Sequence, residues 1–296
     1  MVPARLLGWM GLWSDDLAIG DGRQSHAGAH AMRASHAGSR VRLIAAVLGK
    51  RLLSLAAIAL LAATPVSPAA PAPTVDEIVA QYVAARGGLK KIRSIQTLRQ
   101  KGHATAGAGR HALVTREIKR PSRIRFEFTV QGITAVYASD GQHGWQVSPF
   151  EGDMAPSPLP DEVVKDAIEQ ADIEGPLVDW KSKGHQVELV GREVVGGHET
   201  HKLKLTLKSG VVRYEYLDVK SLHLVRTETT RQLRGRAVQV DATFGDYKKT
   251  RGILFPHLIE VGAAGRPQRL RVVVDQIEVN PPLSDARFEL SIPSQP

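Results

Sequence analysis

His198-Glu199-Thr200-His201 is the grouping in this chain that most resembles metal chemistry. Two imidazoles grip one ion when a helix carries them at an i, i+4 spacing onto one face. Here the spacing is i, i+3, beside Gly196-Gly197 and running into a strand, where residues three apart point to opposite faces. The set therefore reads as an exposed hairpin. His103, His111, His143, His185, His223 and His257 are dispersed without ligand spacing, so no metal is expected. Asp161, Glu162, Asp166 and Glu169 mimic the paired carboxylates of an acid–base catalyst. Val163, Val164, Ala167 and Ile168 interleave with them at helical spacing, which makes the acids the solvated face of an amphipathic helix. There is no Gly-x-Ser-x-Gly elbow, no phosphate-cradling glycine loop and no cysteine nucleophile. No catalytic residue and no cofactor is expected.

Export chemistry dominates the N-terminus. Lys50-Arg51 precedes Leu52–Ala63, an uncharged apolar run of 12 residues, and a Pro/Ala-rich stretch follows to Pro73. A span needs ~20 apolar residues, so the pattern reads as a cleavable secretory signal with small residues near Ala70 or Ala72. Residues 1–49 lack periodicity and carry no function in this reading, with translation beginning nearer Met32 or later. The expected organisation is an extension plus signal peptide over 1–73 and one domain over 74–296, located in the periplasm. Removing seven basic and three acidic residues takes the net charge from +9 to +5. The remaining basic residues are scattered along strand faces, so a nucleic-acid partner is not expected. With no cysteine, lipid attachment through a lipobox and any disulfide are excluded for this sequence.

The elements beyond the signal are mostly strands. Thr74-Val75-Asp76-Glu77 is a capping box, and Ile78, Val79, Tyr82 and Val83 form one apolar stripe of the helix it starts. Gly87-Gly88 ends that helix, with a further turn over Leu89–Ile92. Ile124, Phe126, Phe128 and Val130 alternate with Arg123, Arg125, Glu127 and Thr129, a half-buried strand. Twelve such runs are read between Thr97 and Val279, separated by Gly, Pro and Asp clusters as in a meander of hairpins. A second helix is expected over Asp161–Ala171, with the Pro-rich segment Pro156–Pro160 and Gly175-Pro176 on either side. Without a strand–glycine-loop–helix unit, a doubly wound nucleotide fold is excluded. The expected class is mainly β: a large curled antiparallel sheet forming an incomplete barrel, covered by a few helices.

Several motifs occur in an informative order. Lys119-Arg120-Pro121 precedes the strand just described, and Ser139-Asp140-Gly141 with Trp145 follows about twenty residues later. Asp246-Tyr247, Gly252 and Phe255-Pro256 form a late hairpin, and Asn280-Pro281-Pro282-Leu283, Asp285 and Phe288 close the series. This arrangement resembles the LolA-type periplasmic lipoprotein carriers and their wider LolA/LolB-like superfamily, over about residues 74–290. The resemblance implies a half-barrel holding acyl chains, and a cavity arginine that bonds the lid when empty. Arg120 is the position matching that arginine; the plainer alternative is a surface strand residue. The chain is longer than the archetypal carrier and richer in Arg and Lys in its late strands.

The expected function is a soluble periplasmic carrier, acting as a monomer, that moves acylated lipoprotein or lipid cargo toward the outer membrane without covalent chemistry. Membrane-bound donor and acceptor proteins would be its transient contacts. Expected cavity residues are Arg120, Phe126, Phe128, Val130, Trp145, Leu203, Leu205, Tyr214 and Tyr216. The expected lid is formed by Val163, Val164, Ala167 and Ile168. For each apolar residue, ordinary core packing is the alternative role. An envelope-stress sensor on the same scaffold and an envelope hydrolase are the rival readings.

Overall fold

The computed structural model describes residues 72–290 except 108, 234 and 235. The extension and signal peptide expected over 1–73 thus lie almost wholly outside the described residues.

The chain starts as expected. Helix α1 (Val75–Ala85) carries the capping box: Thr74 Oγ1 accepts from Glu77 N, and Glu77 Oε2 accepts from Thr74 N at 2.7 Å. A short helix α2 (Leu89–Arg93) follows the two glycines. Six strands then run as a meander: β1 (Thr97–Ala106), β2 (Arg110–Lys119), β3 (Arg123–Val130), β4 (Ile133–Ser139), β5 (Gly144–Ser148) and β6 (Asp153–Pro158). After helix α3 (Asp161–Gln170), seven more strands form a second meander. They are β7 (Gln186–Val195), β8 (His198–Thr206), β9 (Val212–Asp218), β10 (Leu224–Leu233), β11 (Arg236–Thr250), β12 (Ile253–Ala263) and β13 (Leu270–Val279). The sequence reading places no strand over Asp153–Pro158. Its prolines mask the signal, and such residues are tolerated because β6 is an edge strand with an unpaired side.

The two meanders join by antiparallel pairing of β1 with β13, giving one sheet in the order β6-β5-β4-β3-β2-β1-β13-β12-β11-β10-β9-β8-β7. β6 and β7 lie at opposite edges and do not pair, so the sheet stays open. This is the helix-covered half-barrel expected from the sequence. One topological consequence is decisive for function. The chain leaves β6 at one edge and must reach β7 at the other, so residues 159–185, including α3, cross the concave face as a strap.

The register defines that face. From Leu98↔Ile118 and Phe126↔Tyr137 at one end to Leu203↔Glu215 and Thr227↔Ala242 at the other, directly opposed residues share a face. Helix α3 buries Val163, Val164 and Ala167 on the N-terminal arm, in a cluster with Ile118, Ile124, Phe126 and Tyr137. Helix α1 buries Ile78, Val79 and Tyr82 on the C-terminal arm, against Leu177, Leu203, Leu205 and Leu217. A third cluster, Ala104, Val240, Ala242, Val261 and Leu270, occupies the middle of the sheet, and no helix contributes a residue to it.

Candidate functional site

The central stretch of the concave face opens into a cleft. Gly102, Val114, Phe126, Phe128, Leu270, Val272, Val274 and Ile259 form its apolar wall, with Gln100 and Arg116 as polar members. Strands β1, β2, β3, β12 and β13 supply these residues. Alternation on β2 explains the arginine: Ala112, Val114, Arg116 and Ile118 all project to the concave side. A bulge between Lys101 and Gly102 loosens the β1–β13 pairing at the floor. Gly102 is required there, because a Cβ would lie 2.0 Å from the Val273 carbonyl oxygen. The cleft is shallow and open to solvent, with a cavity volume of ≈ 60 Å³. That is room for roughly four to six waters at ~10–15 Å³ each.

The strap is held from both arms. On the N-terminal arm, Tyr137 Oη donates to the Val163 carbonyl at 2.9 Å and Arg116 Nη2 to the Gln170 carbonyl at 2.7 Å. From the other arm, Arg231 pairs with Asp166, and Ser209 Oγ donates to Glu169 Oε1 at 2.5 Å. Asp166 and Glu169 are thus not on a solvated face as read from the sequence. Burial raises the Asp166 pKa, against the opposing pull of Arg231. Asp161 and Glu162 alone remain exposed. Gly144 lets α3 come close, since a Cβ there would meet Leu159 and Val164 at 2.8 Å.

Arg120 sits where three segments meet. Its Nε donates to the Ile95 carbonyl at 2.6 Å and its Nη2 to Glu174 Oε1 at 3.0 Å. Ile95 follows α2, and Glu174 belongs to the strap just beyond α3. Arg86 Nη1 also donates to the Glu174 carbonyl, at 2.5 Å. The guanidinium is half-buried and bonded to the strap, rather than free on a strand surface.

The expected cavity residues separate into groups. Phe126 and Phe128 line the cleft, and Val130 shares their face farther along, at the β3–β4 hairpin opposite Ile133. Leu203 and Leu205 are fully buried beneath α1, in packed core away from the cleft lining. Val163, Val164 and Ala167 pack on the sheet, with Ile168 partly buried beside them. Three aromatic assignments are corrected by the register. Trp145 pairs with Ala138 on the convex face, where Nε1 donates to the Phe288 carbonyl at 2.9 Å and Arg125 stacks on the ring. Tyr214 and Tyr216 oppose Lys204 and Lys202, also on the convex face. Lys202 Nζ lies 5.1 and 5.2 Å from the two tyrosine ring centroids, a cation–π arrangement. Arg213 and Glu215, not the tyrosines, face inward, each about 97% buried and facing one another at 3.7 Å.

Arg116 is the cleft residue that sequence reasoning missed. Its position in the β2 alternation carried the signal, because a charged residue at an inward position is uncommon. The histidines divide: His198 is exposed, with Nδ1 2.8 Å from Asp218 Oδ2, whereas His201 projects to the other face and is buried, which corrects the reading of an exposed hairpin. No group of three or more His, Cys, Asp or Glu suited to a metal ion occurs among the described residues.

No family model matches the chain, and no curated protein matches it. Solved structures do. A DUF1329 family protein from Desulfovibrio piger aligns over 74% of this chain and 98% of its own, with a TM-score of 0.53 and 15% identity. That likeness shows a common fold. A LolA superfamily protein from Nitrosomonas europaea aligns over 74% of this chain and 99% of its own, at 14% identity and a TM-score of 0.49. A putative outer membrane lipoprotein-sorting protein domain from Vibrio parahaemolyticus covers 73% and 97%, at 11% identity and 0.48. The chain has the open sheet and covering helices that the motif resemblance implied, so that resemblance holds at the level of the fold.

Proposed function

We propose that the chain is a carrier in the bacterial envelope that shelters acyl chains of a lipid or lipoprotein in the concave cleft, without covalent chemistry. The observation that carries this reading is the uncovered central stretch of the concave face. Its wall is apolar, it is bordered by a polar-tethered strap, and neither helix fills it. A sheltered methylene contributes ~0.8 kcal/mol, so even a partly enclosed chain binds usefully. Release requires the opposite: a cover held by contacts that can be exchanged. Tyr137, Arg116, Arg231, Ser209 and Arg120 supply such contacts, and cargo entering beneath α3 would compete with them. The signal-like segment before residue 74 supports delivery to the periplasm, and an apolar cleft on a carrier exported there suits transfer between membranes.

The test is binding of a fluorophore with an acyl tail, competed by fatty acid or by acylated peptide. Phe128→Asp is expected to abolish binding while leaving the circular dichroism spectrum unchanged, because this side chain borders a cleft rather than sealed core. Saturable binding absent from the wild-type protein, or Phe128→Asp binding normally, sinks the carrier reading.

A further inference from the structure

Sheltering an acyl chain gives no reason for a guanidinium in the cleft. Arg116 is half-buried, and its guanidinium carbon lies 5.7 Å from the centroid of the Phe126 ring. Nη1 donates to Gln100 Oε1 at 3.0 Å and Nη2 to the Gln170 carbonyl at 2.7 Å, both neutral acceptors. Nε is sealed from solvent and has no hydrogen-bond partner.

Five other inward or half-buried arginines have a carboxylate, whereas Arg86 holds a backbone carbonyl and the Tyr82 hydroxyl. Arg99 has Glu117, Arg120 has Glu174, Arg213 has Glu215, Arg231 has Asp166 and Arg269 has Asp241. No carboxylate among the described residues pairs with Arg116. Desolvation lowers its pKa to about 10, so it remains a cation at neutral pH. A desolvated cation with one idle N–H and no counter-ion is an unfavourable arrangement that an incoming anion relieves.

We propose that the cleft selects acyl chains that end in a carboxylate, with Arg116 as the head-group anchor. This rests on the carrier reading and names the ligand class for the same site. One carboxylate oxygen accepts from the idle Nε. The second accepts from Nη2, which shares that edge of the guanidinium and holds the Gln170 carbonyl, giving the two-point fork that guanidinium and carboxylate share. The tail then runs along Phe128, Val272 and Val274. Binding there also touches the strap, because the same guanidinium holds the Gln170 carbonyl at the end of α3. A head group that draws Arg116 away from Gln170 removes one strap contact as the ligand enters.

The experiment compares cis-parinaric acid with its methyl ester, probes that share the tail and differ in the charge of the head. Binding is followed by fluorescence at neutral pH for the wild-type protein, Arg116→Gln and Arg116→Lys. A charge-assisted hydrogen bond predicts that the wild type holds the acid about tenfold or more tighter than the ester. Arg116→Gln is expected to lose that preference, read as the ratio of its own acid and ester affinities, and Arg116→Lys to keep part of it. Equal wild-type affinity for acid and ester overturns the proposal and leaves the carrier reading standing. So does an Arg116→Gln protein that still prefers the acid. If the wild type binds neither probe, both readings fall together. The wild-type comparison needs no variant, so a folding defect in Arg116→Gln does not blunt the test.

Discussion

The two arms of the sheet use the same strand chemistry toward different ends. On the C-terminal arm, α1 sets Ile78 and Tyr82 onto Leu203, Leu205 and Leu217, and these leucines retain no measurable exposure. In the middle of the sheet Val114, Phe128 and Val272 project inward with the same periodicity, yet they stay partly exposed, with Phe128 and Val272 packed against the α3 cluster but not sealed by it. Inward apolar side chains therefore do not distinguish core from binding surface. What distinguishes them is whether the path of the chain supplies a cover. The capping box at Thr74 starts α1 where it seals one arm, and the strap crosses without filling the centre.

Truncation exposes that difference most strongly. Leu203→Ala is expected to destabilise the protein by about 2–5 kcal/mol, the range for a cavity in sealed core. Phe128→Ala should cost clearly less, since its surroundings already include open space, while weakening acyl-probe binding. Denaturant unfolding of both variants beside the wild type measures this directly. Equal losses would mean that the central stretch is core like the rest.

A second comparison concerns release. Arg120→Leu removes the hydrogen bonds from the guanidinium to Ile95 and Glu174 while keeping much of the bulk. Stability should fall by about 1–3 kcal/mol, because the buried Glu174 carboxylate and the Ile95 carbonyl lose their donor. Cargo should be taken up at least as tightly but handed to acceptor vesicles more slowly, because the empty, closed state has lost its contacts. Uptake and transfer measured together decide it: no change in either makes Arg120 a purely structural residue.

The smallest effect expected is a pH dependence confined to the packed arm. Burial tends to raise the Asp218 pKa. Hydrogen bonds from Ser221 N and Oγ, His198 and Lys220 N outweigh this and bring it to about 2, from an ordinary 3.8. A depressed carboxyl pKa contributes stability that is complete above about pH 4 and lost as the pH falls toward 2. The contribution is at most ~2.5 kcal/mol. In Asp218→Asn, stability should lose this component of its acid slope, as followed by thermal melting at several pH values. Probe binding at neutral pH should not change, since Asp218 is on the convex face. A variant that keeps the full slope would assign the acid sensitivity elsewhere.

Much of this architecture is readable from residue order. Alternation in Arg123–Val130, the box at Thr74–Glu77 and the turn at Ser139–Gly141 place elements within a residue or two of where they lie. Face assignment is harder. A period of two tells which residues travel together but not which side of a curved sheet is concave. On β9 the usual rule inverts: Arg213 and Glu215 point inward as a mutually neutralising pair, and the tyrosines take the outside under Lys202. Trp145 fails for a related reason, because the segment around the buried Phe288 packs on the convex side and accepts from its Nε1. Such long-range covers leave no local signature. Arg116 did leave one, since a charge at an inward position invites the question of what it faces.

Because the strap joins opposite edges of an open sheet, the molecule is built like a bow and its string. The strap cannot swing out as a flap hinged at one end. Widening the sheet draws the string taut, and slack must come from the irregular stretch between α3 and β7, where Gly175 and Gly184 adopt positive φ. Occupancy of the cleft is thereby converted into strain on a segment that is largely packed but exposes Lys181, Ser182 and Gly184. A protease or a docking partner that touches only the turn at 181–184 would sense whether the protein is loaded without ever meeting the cargo.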